Sequence, residues 1–167
     1  QQVLMTNRED IPLEELYFHI FANYNGGSIK FNRITIDDRE VEYQMEAEDT
    51  ILRILLPEAL PGGQDLIVSM DYVLTIPTEM GGNYGLFGYF HSVMVLDTFY
   101  PMLAVYDQNG WHIGKPDPTG DLSYTDASYY SVSVDYPADM VIVASGIKTD
   151  SSLNGERETA QFAIGPA

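Results

Sequence analysis

Residues Leu66 to Ile76 read LIVSMDYVLTI. Leu66, Val68, Met70, Tyr72, Leu74 and Ile76 share one side of an extended chain, against Ser69, Asp71 and Thr75 on the other. A period of two marks a half-buried β-strand, because successive side chains point to opposite faces of a sheet. On a helix the same residues would scatter around the axis. The pattern recurs on both sides of this stretch. From Arg39 to Ala47, the residues Val41, Tyr43, Met45 and Ala47 alternate with Glu40, Glu42, Gln44 and Glu46, which predicts one strand with an acidic outer face. From Tyr129 to Tyr136, the residues Tyr130, Val132, Val134 and Tyr136 alternate with Ser131, Ser133 and Asp135.

Less regular runs predict further strands at residues 16–21, 28–36, 50–55, 86–91, 102–106, 140–145 and 159–164. Within residues 28–36 the apolar parity changes between Phe31 and Ile34, which predicts a bulge. Asp37-Asp38 predicts a tight hairpin turn, since Asp tolerates left-handed backbone angles. Residues 57–63, 77–85 and 109–120 read as loops from their Pro, Gly and Asn content. Helix signals are thin, and residues 10–15 offer one short turn. Many strands at hairpin spacing, without helices for parallel crossovers, imply an all-β protein. Its antiparallel sheets would stack as a β-sandwich over residues 1–167, as a single domain.

Composition narrows the function classes. A chain of 167 residues with 45% hydrophobic residues builds a proper core. The balance of 25 acidic against 8 basic residues gives a formal charge of -17, which repels phosphate backbones and anionic membrane surfaces and so argues against nucleic acid as a partner. There is no cysteine, so disulfides, thiol catalysis and thiolate metal sites are all excluded. No apolar run approaches the roughly 20 residues needed to span a bilayer. The start lacks the pattern of a signal peptide, and the end, just past a strand-like run, reads as a cut before a further domain.

Candidate chemistry is sparse. The histidines are His19, His91 and His112. His19 is expected to face solvent from an alternating strand, while His91 and His112 would need to meet in space and find a carboxylate partner to make a zinc site. Asp117, Asp121 and Asp126 line a Pro- and Gly-containing loop, but their spacing matches no calcium loop, and a solvated acidic loop is the favoured reading. There is no G-x-S-x-G, and Gly81-Gly82-Asn83 lacks the Lys and Ser/Thr of a phosphate loop. The aromatic run from Tyr84 to His91 reads as a glycine-kinked strand whose rings fill a core or cover an edge, ahead of a ligand groove. Phe99, Tyr100, Pro101, Gly110 and Trp111 form the most distinctive cluster, with Trp111 read equally as core or as an anchor at a surface.

Two stretches carry a resemblance: FYPMLAVYDQNGW from Phe99 to Trp111, and DLSYTDASYYSVSVDYPADMVIVASG from Asp121 to Gly146. They resemble the saddle-shaped β domain that precedes the catalytic domain in gluzincin zinc aminopeptidases. The aromatic-Pro step is matched by Tyr100-Pro101 and the acidic residue beyond it by Asp107. The pattern V-x-x-P-x-x-x-x-x-x-A-x-G is matched from Val134 and Pro137 to Ala144 and Gly146. The segment Tyr84 to Tyr89, with Tyr106, Asp107, Gly110 and Trp111, is similar to a secreted bacterial branch.

The chain departs from better-known members in having Met102 after the Pro where they have Cys. Residues 90–98 offer His91, Ser92 and Asp97, and no substrate-binding residue is carried across. The family's chemistry rests on H-E-x-x-H, in which two His ligate zinc and the Glu activates water. Here no His is followed by Glu. The resemblance thus implies a non-catalytic domain holding no catalytic or metal-binding residue, with zinc in a catalytic domain of the same polypeptide. That domain and a peptide would be its partners, with Phe99, Tyr100, Pro101 and Trp111 at the domain junction. It also implies a secreted or cell-surface bacterial protein. A different class also fits the fold: a free-standing extracellular sandwich that binds carbohydrate or a surface.

Overall fold

The computed structural model describes residues 1–80, 85–115 and 124–167. The predicted loop residues Gly81, Gly82, Asn83 and Gly120, the aromatic Tyr84, and Asp117 and Asp121 of the acidic loop lie outside them. The chain forms two compact units, residues 1–125 and 126–167.

In the first unit the strands are β1 (Gln2–Thr6), β2 (Leu13–His19), β3 (Ser28–Ile36), β4 (Arg39–Glu40), β5 (Tyr43–Glu46), β6 (Ile51–Leu60), β7 (Asp65–Thr75), β8 (Phe87–Phe90), β9 (Val93–Leu96), β10 (Met102–Leu103), β11 (Tyr106–Asp107) and β12 (Gly110–Trp111). A single helical turn, α1 (Phe21–Tyr24), follows β2. One sheet has the order β1-β7-β3-β4, a second β10-β2-β6-β5, and β8-β9 and β11-β12 are small ribbons. Pairing throughout is antiparallel.

The two larger sheets stack. Phe31, Ile34, Ile36, Leu66, Val68 and Met70 of one meet Leu13, Leu16, Phe18, Leu52, Ile54 and Leu60 of the other in one buried cluster. Burying each such side chain contributes about 1.5–3 kcal/mol, which makes this layer the main source of stability. The antiparallel all-β sandwich read from the period of two is the observed fold. The face foreseen in Leu66 to Ile76 is the core face, with Leu66, Val68 and Met70 buried and Ile67 and Val73 exposed. The register shift in β3 falls between Phe31 and Arg33, where the parity change placed it. Asp37 and Asp38, at φ 47 and 68, make the expected turn between β3 and β4.

Several expectations are corrected. The strand foreseen from Arg39 to Ala47 is two: the chain pairs with β3 as β4, breaks at Val41-Glu42 and pairs with β6 as β5. Such a switch of sheets keeps the period of two, so the sequence does not reveal it. Residues 57–60 are strand and not loop. Pro57 is accommodated where the β2–β6 register shifts between Leu13 and Glu15, since a bulge tolerates a residue without an N–H. Buried Leu60 and the fully buried Asn7 hold this end, with Asn7 Nδ2 donating to the carbonyls of Leu60 (2.8 Å) and Ile11 (2.9 Å). No helix forms at residues 10–15, because Leu13 already belongs to β2. The short ribbon β8-β9 turns at His91-Ser92 with φ 50 and 62, left-handed angles more typical of Asn or Gly.

The second unit is a three-stranded sheet in the order β13-β15-β14, formed by β13 (Tyr130–Pro137), β14 (Ile147–Asn154) and β15 (Arg157–Ile164). Its core is small: Tyr136, Ala160 and Phe162 are buried, with Val134 and Ile142 packed against them. Arg157 pairs with Asp135 across the sheet. Residues 140–145, expected as a strand, join no sheet among the described residues, and the strand is instead the polar IKTDSSLN of β14. Every residue of β14 is exposed, so it carries no alternation for a reader of sequence to find.

Candidate functional site

The segment from Phe99 to Ile113 is built onto the outside of β2. Pro101 is fully buried and its carbonyl accepts a hydrogen bond from Gln1 Nε2 at 2.8 Å. Met102 and Leu103 then pair with His19 and Phe18, adding an edge strand. The Ala104 amide donates to the Tyr17 carbonyl at 2.8 Å, which continues that edge pairing along β2. Asp107 closes a turn by accepting the Asn109 amide at 2.7 Å, and Gly110 at φ 92 returns the chain as β12.

The ribbon β11-β12 brings Trp111 between two rings, 5.8 Å from Tyr17 and 5.1 Å from Tyr106, edge-on to the latter. Tyr17, Ile51 and Ala104 form a second small core there, with Trp111 and Ile113 on its rim. From Leu16 to His19, strand β2 is therefore buried on both faces. That corrects the expectation for His19, which is 7% exposed instead of solvent-facing. Its ring stacks on Phe21 at 5.0 Å, and Nε2 donates to the His112 carbonyl at 2.8 Å. Burial lowers the His19 pKa, only partly opposed by that hydrogen bond.

The histidine brought to His112 is thus His19, through the backbone. His112 Nε2 lies 2.8 Å from Asp107 Oδ2, and the Asn109 amide and His112 hold the Asp107 carboxyl below its ordinary pKa. His91 sits in the β8-β9 turn, edge-on to Phe90. Among the described residues no three His, Asp or Glu converge as metal ligands. Asp126 is exposed, and its predicted companions Asp117 and Asp121 lie outside the described residues.

Beside the aromatic cluster, Arg53 binds Glu15 through Nε at 2.7 Å and approaches the Tyr17 ring at 5.9 Å. The Tyr17 hydroxyl donates to Glu15 at 3.2 Å, and burial followed by the Glu15 charge raises its pKa. The cavity bordered by His19, Phe21 and Lys115 measures about 10 Å³, and that bordered by Tyr43, Arg53 and Leu55 about 70 Å³. Both fall far below the several hundred Å³ of a small-molecule site. The arrangement offers a surface and not a pocket. Phe99 and Tyr100, edge-on to one another at 5.3 Å, and Trp111 are half-buried, and Pro101 is fully buried. In the Tyr84–His91 run, Phe87 is buried as a core ring while Tyr89 is exposed. The Tyr17–Glu15–Arg53 network escaped sequence reasoning, because its residues meet only through the β2–β6 register, in which Tyr17 faces Arg53.

No family model and no curated protein matches the chain. Its fold matches solved structures. Against an M1 zinc metallopeptidase from Deinococcus radiodurans the TM-score is 0.62 at 16% identity, over 97% of this chain and 33% of that one. A mutant of that enzyme bound to a Tyr-Ser-Ala substrate matches with the same values. A two-domain M1 zinc metallopeptidase mutant bound to L-tryptophan gives 0.60 at 17% identity. The chain spans about a third of the length of the structures it matches. Its fold is that of part of an M1 zinc metallopeptidase.

Proposed function

We propose that this chain is the N-terminal scaffold domain of a larger zinc-dependent aminopeptidase-like protein, itself non-catalytic. It packs on a catalytic domain of the same polypeptide and forms one wall of the entrance through which peptide substrate arrives. Zinc and the water-activating Glu belong to that second domain. The observation that carries this reading is the match of 97% of the chain to one third of a zinc metallopeptidase, in a sequence where no His is followed by Glu. Phe99, Tyr100 and Trp111, with buried Pro101, are the junction face, since aromatic rings are favoured interface anchors. The resemblance to secreted bacterial members supports a location outside the cell. Among the described residues no helix is long and apolar enough to cross a membrane.

The test compares the 167-residue chain with its full-length polypeptide on aminoacyl reporter substrates, zinc supplied. The short chain is expected to be inert and the full-length protein to turn over and to lose turnover on chelation. Hydrolysis by the short chain overturns the scaffold role. A full reading frame without H-E-x-x-H and a later Glu overturns the peptidase reading.

A further inference from the structure

Residues 140–147 read MVIVASGI and carry no charge between Asp139 and Lys148. Among the described residues they join no sheet up to Gly146, and exposure alternates over Val141, Ile142 and Val143. Ile142 packs inward on Tyr136, Ala160 and Phe162, while Val141 is 89% exposed and Val143 93%. Ile147 at 69% and Met140 at 45% add exposed apolar surface at its two ends. Single exposed apolar side chains are ordinary, but several so close together, two of them almost wholly in water, mark a surface that meets something.

The segment is anchored at its two ends. Ala138 donates to the Glu156 carbonyl at 2.9 Å before it. After it, Gly146 at φ 89 approaches the Ala163 carbonyl so closely that a Cβ has no room. Valine and isoleucine are stiff at χ1, so covering them costs little side-chain entropy. An uncharged, β-branched ridge anchored at its two ends loses little side-chain freedom when it docks.

We infer that this ridge is covered by the rest of its own polypeptide, the catalytic domain of the function proposed above, on which this inference rests. The solved structures that share the fold are three times as long, so a covering element on the same chain has a counterpart in size. A tethered partner acts at high effective concentration, and a small ridge then suffices. A second copy is disfavoured, because two chains of formal charge -17 repel one another.

The chain has no cysteine, so Val143→Cys introduces a single thiol into it, and Lys30→Cys on the exposed side of β3 is the control. Alkylation rates are read peptide by peptide in the 167-residue chain and in the full-length protein. Val143→Cys is expected to react about tenfold slower, or more, in the full-length protein, as for a site that must open locally, with Lys30→Cys unchanged. Equal rates at Val143→Cys overturn the inference. Protection that appears in the short chain as its concentration rises assigns the ridge to a second copy and also overturns it. Full-length protein that protects Val143→Cys but has no zinc-dependent turnover keeps the ridge and sinks the peptidase reading. Turnover with an unprotected thiol sinks the ridge alone.

Discussion

Residues 1–125 keep Leu16, Phe18, Ile20, Ile34, Leu52, Ile54 and Val68 almost wholly out of water. Residues 126–167 instead bury three side chains and hold Val141, Val143, Ile147 and Leu153 outside. The first unit closes a sandwich on itself, each large sheet supplying half of a shared core. The second is one three-stranded sheet with a small cluster on one face. So small a buried cluster stabilises its sheet far less than the shared core stabilises the first unit. The difference teaches how unevenly apolar burial is shared out: the first unit hides its large side chains within itself, and the second leaves many of its own in water.

The largest expected effect tests the self-contained core. Phe18→Ala removes a fully buried ring between the sheets and is expected to cost about 3–5 kcal/mol in a urea melt. A loss below 1 kcal/mol would place the core elsewhere.

Next comes Asn7→Ala, expected to cost about 1–3 kcal/mol, because the carbonyls of Leu60 and Ile11 lose their donor in a buried setting. Its melting temperature set against wild type checks this.

The third effect is pH-dependent. Burial lowers the folded pKa of His19 below its ordinary 6.5, so above that value both folded and unfolded chains hold it neutral. As pH falls below 6.5 the unfolded chain takes up the proton first, and stability drops by at most about 1.4 kcal/mol per pH unit until the folded form titrates too. His19→Gln should flatten that slope. An unchanged slope in chemical denaturation would show that the double burial of β2 does not govern this titration.

Smallest of all, Val143→Ser in the 167-residue chain should alter stability by no more than about 0.5 kcal/mol, since the side chain is already in water. A clear loss there would mean that the ridge is covered within this chain, and the contrast between the units would collapse.

The same contrast explains what a reader of the sequence finds. Strands β3 and β7 lie between a wet face and a dry one, so their apolar residues alternate and even the bulge after Phe31 is legible. Strand β14 is wet on both faces, and β2 is dry on both at its His19 end. The first situation writes no period of two. In the second an alternating run does not reveal that both faces are covered, so a sequence reading passes over β14 and assigns His19 to solvent. At the candidate site, Phe99, Tyr100, Pro101 and Trp111 stood out by composition. That Pro101 lies wholly beneath the surface, and that Trp111 is shared between Tyr17 and Tyr106, follows only from how residues 99–113 pack against β2.

Composition and alternation by themselves determined an antiparallel all-β chain, acidic, free of cysteine and lacking the metal-binding helix of a zinc peptidase. Those features are local: each is carried by residues within one strand's length, or by a count. Sheet membership, the change of sheets at Val41-Glu42, the His19–His112 link and the outward aim of Val141 and Val143 were decided by the tertiary structure. They depend on which distant segments share a hydrogen-bonded edge, and a period of two reads the same whichever neighbour the strand finds.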